Sequence, residues 1–104
     1  MSERFVDALK HEVAEEQAGA LGRCGRRLEH ALRLFQSHGT RSDPRAGARR
    51  ERLLWDLAER VEAFVVQREA CGLRDSRHVL KFYGIPREAI ARVGARRPKA
   101  DASL

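Results

Sequence analysis

One apolar pattern runs through the first third of the chain. Apolar residues recur there at steps of three and four, the spacing of one face of an α-helix. They are Phe5, Leu9, Val13, Leu21, Cys24, Leu28, Ala31, Leu32 and Phe35. Ser2 can cap this helix, and the pattern lasts to about His38, which gives roughly 35 residues and about 50 Å. Such a helix is long for a globular protein, so the other elements have to be arranged around it.

Three glycines lie near the middle of this pattern. Gly19, Gly22 and Gly25 each cost about 1 kcal/mol relative to alanine in a helix interior. They either break the helix into two pieces or, together with Ala14 and Ala18, form a smooth groove where another helix backbone comes close. We favour a continuous helix with close packing at this groove.

A linker and a second helix follow. Residues 39–47 form the linker, in which Asp43 is a helix cap and Pro44 the first helical position. The second helix ends at Gly72, after which Leu73 is placed for the apolar contact that often follows such a glycine. Its inward residues are Leu53, Leu54, Leu57, Ala58, Val61, Phe64 and Val65.

Two short helices complete the pattern. Asp75 can cap a third helix that runs from His78 to Tyr83 and ends at Gly84. Pro86 opens a fourth helix that runs to about Val93.

These elements predict an all-α fold with a single helical domain over residues 1–94 and a flexible basic tail over residues 95–104. The first two helices form a long antiparallel hairpin, and the two short helices cap one end of it. The apolar stripe from Leu21 to Phe35 exceeds what the short helices can cover. We therefore expect a homodimer that forms a helical bundle.

Charge and hydropathy suggest where such a protein works. The formal net charge is +6, and residues 74–104 carry eight basic against three acidic residues. This basic third can meet phosphates or an acidic protein face, although 18 of the 21 basic residues are arginine, which also fits a simple coding bias. No apolar run approaches the ~20 residues that cross a bilayer, and the N-terminus lacks the features of a signal peptide. We expect a cytoplasmic location and no membrane contact.

The sequence contains no pattern typical of catalysis or metal binding. Its four histidines are dispersed, and no serine elbow or phosphate-binding loop is present. Cys24 and Cys71 are expected to be reduced, each packed as a small hydrophobic residue. The sequence therefore predicts a protein that is not an enzyme and uses no cofactor or metal.

Arginines near the C-terminal corner are the candidate contacts for a partner or an anion. Arg68 falls on the inward face of the second helix, so it needs a carboxylate such as Glu69, Asp75 or Glu29, unless it binds an anion. The candidate contacts are Arg68, Arg74, Arg77, Arg87 and Arg92, and the structural turn residues are Gly72, Asp75, Gly84 and Pro86.

The stretch KFYGIPREAIARVG, residues 81–94, has two interpretations. As a helix-turn-helix, it turns at Gly84 and presents Arg87 and Arg92 outward to phosphates or base edges. As a structural corner, it uses the glycine only to end a helix. Leu80 stands where a helix-turn-helix usually needs a small residue, so we favour the corner. We then expect replacement of either arginine by alanine to leave stability nearly unchanged.

Two segments carry a resemblance to a known family. AEEQAGALGRCGRRLEHAL and VQREACGLRDSRHVLKFYGIPREAIARVG resemble a family of small, helical bacterial proteins of unknown function. The similarity extends from about Phe5 to Gly94 and implies a bacterial, cytosolic, helical protein. It brings no activity, ligand or catalytic residue.

Two functions follow from these observations. The first is a non-catalytic protein–protein interaction or regulatory module that self-associates. The alternative is a nucleic-acid-binding regulator that uses the helix-turn-helix-like segment 78–93.

Overall fold

The structure, a computed structural model, describes residues 2–38 and 44–99. Within these ranges it contains four helices, which confirms the predicted all-α class. They are α1 Glu3–His38, α2 Ala46–Ala70, α3 Arg77–Tyr83 and α4 Arg87–Arg92. Among these helices, none combines the length and the apolar character that a membrane-spanning segment needs.

The first helix, α1, continues for 36 residues through all three glycines, as predicted. The Ser2 hydroxyl accepts a hydrogen bond from the Phe5 N–H at 3.3 Å and so caps its first turn. Alanine, leucine, arginine and glutamate dominate the sequence around the glycines. Because these residues favour a helix, they offset the cost of the glycines.

The glycines of α1 differ in what lies beside them. Gly25 is buried, and a methyl group there would lie 3.6 Å from Cε1 of Phe64. At Gly19 and Gly22 the nearest atoms are guanidinium nitrogens of Arg23 and Arg26, at 3.4 and 3.3 Å. Helical side chains lean towards the N-terminus, so an arginine lies back over the glycine four residues before it. Among the described residues, the predicted packing of another helix is seen at Gly25, beside Phe64 of α2, and not at Gly19 and Gly22.

The helices α1 and α2 pack as an antiparallel hairpin around a leucine-rich core. Two contacts mark the far end of the hairpin: Gln17 Nε2 donates to the Ala70 carbonyl at 3.3 Å, and the Cys71 thiol donates to the Gln17 carbonyl at 3.6 Å. The short helices α3 and α4 close the core from one side. Its buried members are Leu28, Ala31, Leu32, Leu54, Leu57, Val61, Phe64, Leu80, Ile85 and Ala89.

The start of α2 differs from the prediction. Pro44 and Arg45 form a turn, and the helix begins at Ala46, so Pro44 is not its first residue. The predicted cap Asp43 and most of the linker 39–47 lie outside the described residues.

The end of α2 follows the predicted glycine stop. Gly72 has a φ of +82°, and its N–H donates to the Glu69 carbonyl at 2.9 Å, while the Leu73 N–H donates to the Arg68 carbonyl at 2.9 Å. This is a Schellman motif. The residue opposite Leu73 in the motif is Arg68 rather than an apolar side chain. Leu73 consequently stays exposed, and the apolar contact predicted for it does not join the core.

The cap of α3 lies one residue later than predicted. Ser76 occupies the cap position, and α3 begins at Arg77 rather than His78. Asp75 instead adopts a left-handed φ of 56°, and its carboxylate accepts a hydrogen bond from the Arg77 N–H at 3.4 Å. Asp75 therefore satisfies a first-turn N–H from outside the helix.

The turn between α3 and α4 is a second Schellman motif. Gly84 has a φ of +71°, and the Ile85 N–H donates to the Leu80 carbonyl at 3.1 Å. Here both apolar partners, Leu80 and Ile85, are buried. Pro86 is the cap of α4 rather than its first helical residue.

The last described residues run back along α2. Arg97 lies in the predicted flexible tail, but its guanidinium contacts Asp56 at 2.9 Å and Glu59 at 3.1 Å. Residues 100–104 of that tail lie outside the described residues.

Candidate interaction site

The N-terminal part of α1 projects beyond the hairpin. By length α1 spans about 54 Å and α2 about 38 Å, and the end of α2 meets α1 at Gln17. We call residues 3–16 the arm. All polar contacts that the structure describes for the arm stay within α1 and its Ser2 cap.

The arm carries an apolar stripe that no other described element covers. Phe5 is 51% exposed, Leu9 44% and Val13 54%. Their spacing of four places them along one side of the helix. By contrast, Leu28 and Leu32 are buried and Phe35 is half-buried beneath the guanidinium of Arg50, 5.3 Å from the ring centre. The stripe from Leu21 to Phe35 is thus covered within one chain. The uncovered apolar surface of α1 lies at its N-terminal end, whereas the sequence predicted it between Leu21 and Phe35.

Charge divides α1 into two unlike halves. The arm carries five acidic and two basic residues, a formal charge of −3. Residues 17–38 carry four arginines and one glutamate, a formal charge of +3. The helix is therefore a long dipole of side-chain charges, acidic in the arm and basic beside α2.

A groove lies between α1 and α2 on the basic half. We call it the arginine groove. It encloses about 490 Å³, and its floor is apolar. The floor residues are Ala31, Leu34 and Leu53, and the cationic side chains around them are Arg23, Arg26, Arg27 and Arg60, with His30 among them. Leu34 is 45% exposed, so the floor is open to solvent.

The acidic residues of the groove already have a partner, whereas most of its arginines do not. Asp56 and Glu59 line the groove, and both are paired with Arg97. Hydrogen bonding to Asp56 raises the pKa of Arg97 above its ordinary value. Within residues 2–38 and 44–99, Arg27 and Arg60 form no ion pair. The groove is therefore a positively charged, apolar-floored surface.

The arginines predicted as contacts at the corner of α2 and α3 differ in their partners. Arg68 donates from Nε to the Ser76 hydroxyl at 3.1 Å, so its partner is a hydroxyl rather than one of the carboxylates named from sequence. Arg77 pairs with Asp75 at 3.1 Å, and this hydrogen bond lowers the pKa of the Asp75 carboxyl. Arg74 is exposed on the connecting segment.

The two predicted contacts on α4 differ from each other. Arg92 donates to both carboxylate oxygens of Glu51, at 2.9 and 3.0 Å, and lies 5.6 Å from the centre of the Trp55 ring. Its outward orientation is therefore wrong, because it ties α4 to α2. Arg87 is exposed, as predicted. Glu88 pairs with Arg50 at 2.7 Å, which fixes the outer side of the same helix.

The metal-binding residue types do not cluster within the described residues. Among them, no group of three or more histidine, cysteine, aspartate or glutamate side chains is placed to hold a metal. Cys24 and Cys71 are half-buried and free. The strongest surface features are thus the arm and the arginine groove. The sequence reading missed the groove, although the recurrence of Arg23, Arg27 and His30 at steps of four and three was a signal for a basic face.

Comparison with known proteins gives one match. No curated protein and no solved structure matches the chain. A family model described as a family of unknown function, DUF6665, matches residues 3–101. This match spans nearly the whole chain and bears out the resemblance that its motifs indicate. The chain therefore belongs to the DUF6665 family.

Proposed function

We propose that this protein is a non-catalytic interaction or regulatory module that self-associates through its arm. The observation that carries the proposal is the uncovered stripe of Phe5, Leu9 and Val13 on a helix that projects past its own hairpin. The proposal keeps the cytoplasmic setting and bacterial origin that the sequence predicts.

Burial of the stripe supplies the driving force. Full burial of a valine, leucine or phenylalanine side chain contributes about 1.5–3 kcal/mol relative to exposure. Each copy brings three half-exposed side chains of this kind, so two copies bring six. Because these side chains are only about half exposed, the six together contribute roughly 4–9 kcal/mol, which offsets a large part of the ~4–15 kcal/mol that association costs in lost translational and rotational freedom.

Helix stability points the same way. Isolated helices shorter than ~12–15 residues are marginal in water, since most helical stability in proteins comes from packing of one face. The arm continues the packed part of α1 and needs no nucleus of its own, but residues 3–16 lack this packing because no other described element covers their apolar stripe. A second copy provides that packing without a new protein.

Light scattering on the purified chain tests the proposal. We expect a dimer at micromolar concentration and a monomer for the double variant Phe5→Ser/Leu9→Ser, with helical circular dichroism retained. Phe82→Ser is the matched control, because Phe82 is 88% exposed on α3 and lies outside the arm. A wild type that stays monomeric at high micromolar concentration, or a loss of the dimer in the control alone, would contradict the proposal.

The nucleic-acid alternative stays a prediction of the sequence. Its segment is built from α3 with seven residues and α4 with six. Arg92, one of the two arginines predicted to face outward, is bound to Glu51. No observation on the described surface favours this alternative over the arm, so we do not propose it.

A further inference from the structure

One face of α1 joins the arm to the arginine groove. After five full turns, or about 18 residues, side chains of an α-helix point in the same direction again. This interval separates Phe5 from Arg23, and it also separates Leu9 from Arg27. Phe5 and Leu9 of the stripe are therefore in line with the arginines that border the groove.

The two halves of this face differ in charge, and their apolar residues lie at opposite ends. Its arm half consists of Phe5, Leu9, Glu12 and Glu16. Its groove half consists of Arg23, Arg27, His30 and Leu34, all of which line the arginine groove. The order is apolar then acidic in the first half, and basic then apolar in the second.

We propose that two copies pair through antiparallel α1 helices, so that the arm of each lies in the arginine groove of the other. This inference rests on the self-association proposed above and specifies its surface. It places four residue pairs opposite each other, twice over in the dimer. The pairs are Phe5 with Leu34, Leu9 with His30, Glu12 with Arg27, and Glu16 with Arg23.

Charge selects this arrangement over the other ways of pairing two arms. An antiparallel pair sets the half with charge −3 against the half with charge +3, on both sides of the symmetry axis. An arm packed on an arm would bring together two halves of −3, and like charges across an interface are unfavourable. The arginines Arg27 and Arg60, which have no ion-pair partner in the described residues, lie where the acidic arm enters.

The residues at the centre allow the two helices to approach. The pairing places the two-fold axis between Gly19 and Ala20, in a part of α1 where small residues recur at positions 18, 19, 20 and 22. Glu16 and Arg23 flank this centre and already touch within one chain at 3.1 Å, which shows that they share a face. In the pair, each can exchange its own partner for the copy's at little cost. A two-fold interface of this kind satisfies every contact twice.

Charge reversal with complementation tests the pairing. We expect Glu12→Arg and Arg27→Glu each to weaken the dimer at least about tenfold, since each variant sets two like charges together twice. An equimolar mixture of the two variants should form a heterodimer of near wild-type affinity, because both contacts are then restored. Arg33→Glu is the matched control. It makes the same charge change in the same half of α1, but Arg33 does not line the groove and pairs with Glu29 at 3.9 Å.

Cysteine cross-linking gives a second measurement, in a Cys24→Ala/Cys71→Ala background that light scattering shows to be dimeric. Ala20→Cys should form an interchain disulfide on mild oxidation, because the two copies of this position meet at the axis. Leu9→Cys should not, because its two copies are about 32 Å apart along the helices. In a pairing of arm on arm, Leu9→Cys cross-links and Ala20→Cys does not.

The outcomes separate the pairing from self-association itself. A dimer that the mixture of variants does not restore, or that cross-links at Leu9→Cys instead of Ala20→Cys, overturns the antiparallel pairing and leaves self-association standing. A wild type that is monomeric at every concentration overturns both. Restoration in the mixture together with cross-linking at Ala20→Cys supports the pairing.

Discussion

At the scale of single residues, glycine occupies two kinds of backbone position. Gly22 lies in the middle of α1 in helical conformation, and the nearest atom to an added methyl group is the flexible end of Arg26 at 3.3 Å. Gly84 has a φ of +71° in the turn after α3, with nothing within 4 Å of an added methyl group. At Gly84 there is space for a side chain, but the backbone conformation disfavours one. At Gly22 the backbone conformation suits any residue, but a neighbouring side chain occupies the space.

The two positions should respond to alanine in opposite directions. Gly84→Ala is expected to lower the free energy of unfolding by ~1 kcal/mol or more, because alanine is strained at positive φ. Gly22→Ala is expected to raise it by ~0.5–1 kcal/mol, because alanine favours the helix and the arginine can move aside. Urea unfolding at one fixed protein concentration measures both. A stabilised Gly84→Ala would show that the turn does not hold its left-handed conformation.

Arg92 and Arg87 provide a second contrast. Arg92 makes a two-pronged contact with Glu51 and lies against Trp55, whereas Arg87 is exposed. Arg92→Ala is expected to lower the free energy of unfolding by ~1–2 kcal/mol, and Arg87→Ala to change it by less than ~0.5 kcal/mol. The sequence alone predicted no effect for either. Equal unfolding midpoints for the two variants would contradict the role assigned to Arg92.

At the scale of elements, the sequence predicted the helices well and their ends less well. The recurrence of apolar residues was enough to place α1 and α2, because periodicity is a property of one helix. The cap of α3 was displaced by one residue, since Asp75 and Ser76 are both good caps and only the left-handed φ of Asp75 decides between them.

The candidate site depends on the register between α1 and α2, which the periodicity of a single helix does not determine. The groove combines Arg23 and Arg27 of α1 with Leu53 and Arg60 of α2, and these meet only in one register of the hairpin. The same register leaves the arm uncovered, because α2 ends beside Gln17. Sequence reasoning recognised that α1 has too much apolar surface. Without the register, it could not say at which end the excess lies.

At the scale of the whole molecule, self-association makes thermal stability depend on protein concentration. We expect the Tm to rise with concentration in the micromolar range, since a dimer is favoured over unfolded monomers by mass action. We also expect the rise to shrink when salt is increased from about 0.1 M to about 1 M, over which the Debye length falls from about 10 Å to about 3 Å. Scanning calorimetry at several concentrations measures both effects. The Phe5→Ser/Leu9→Ser variant should show a Tm independent of concentration.

The unbroken course of α1 through Gly19, Gly22 and Gly25 has a consequence for stoichiometry. Because the arm and the groove lie on one continuous helix, the partner that receives the arm is also the partner whose arm fills the groove. The proposed assembly then closes at two copies and leaves no free end to grow from. A bend at the glycines would take the arm out of line with the groove of its own chain. The arm and the groove would then bind two different partners, and a third chain could join. The continuity of this helix is therefore what favours a closed pair over an open fibre.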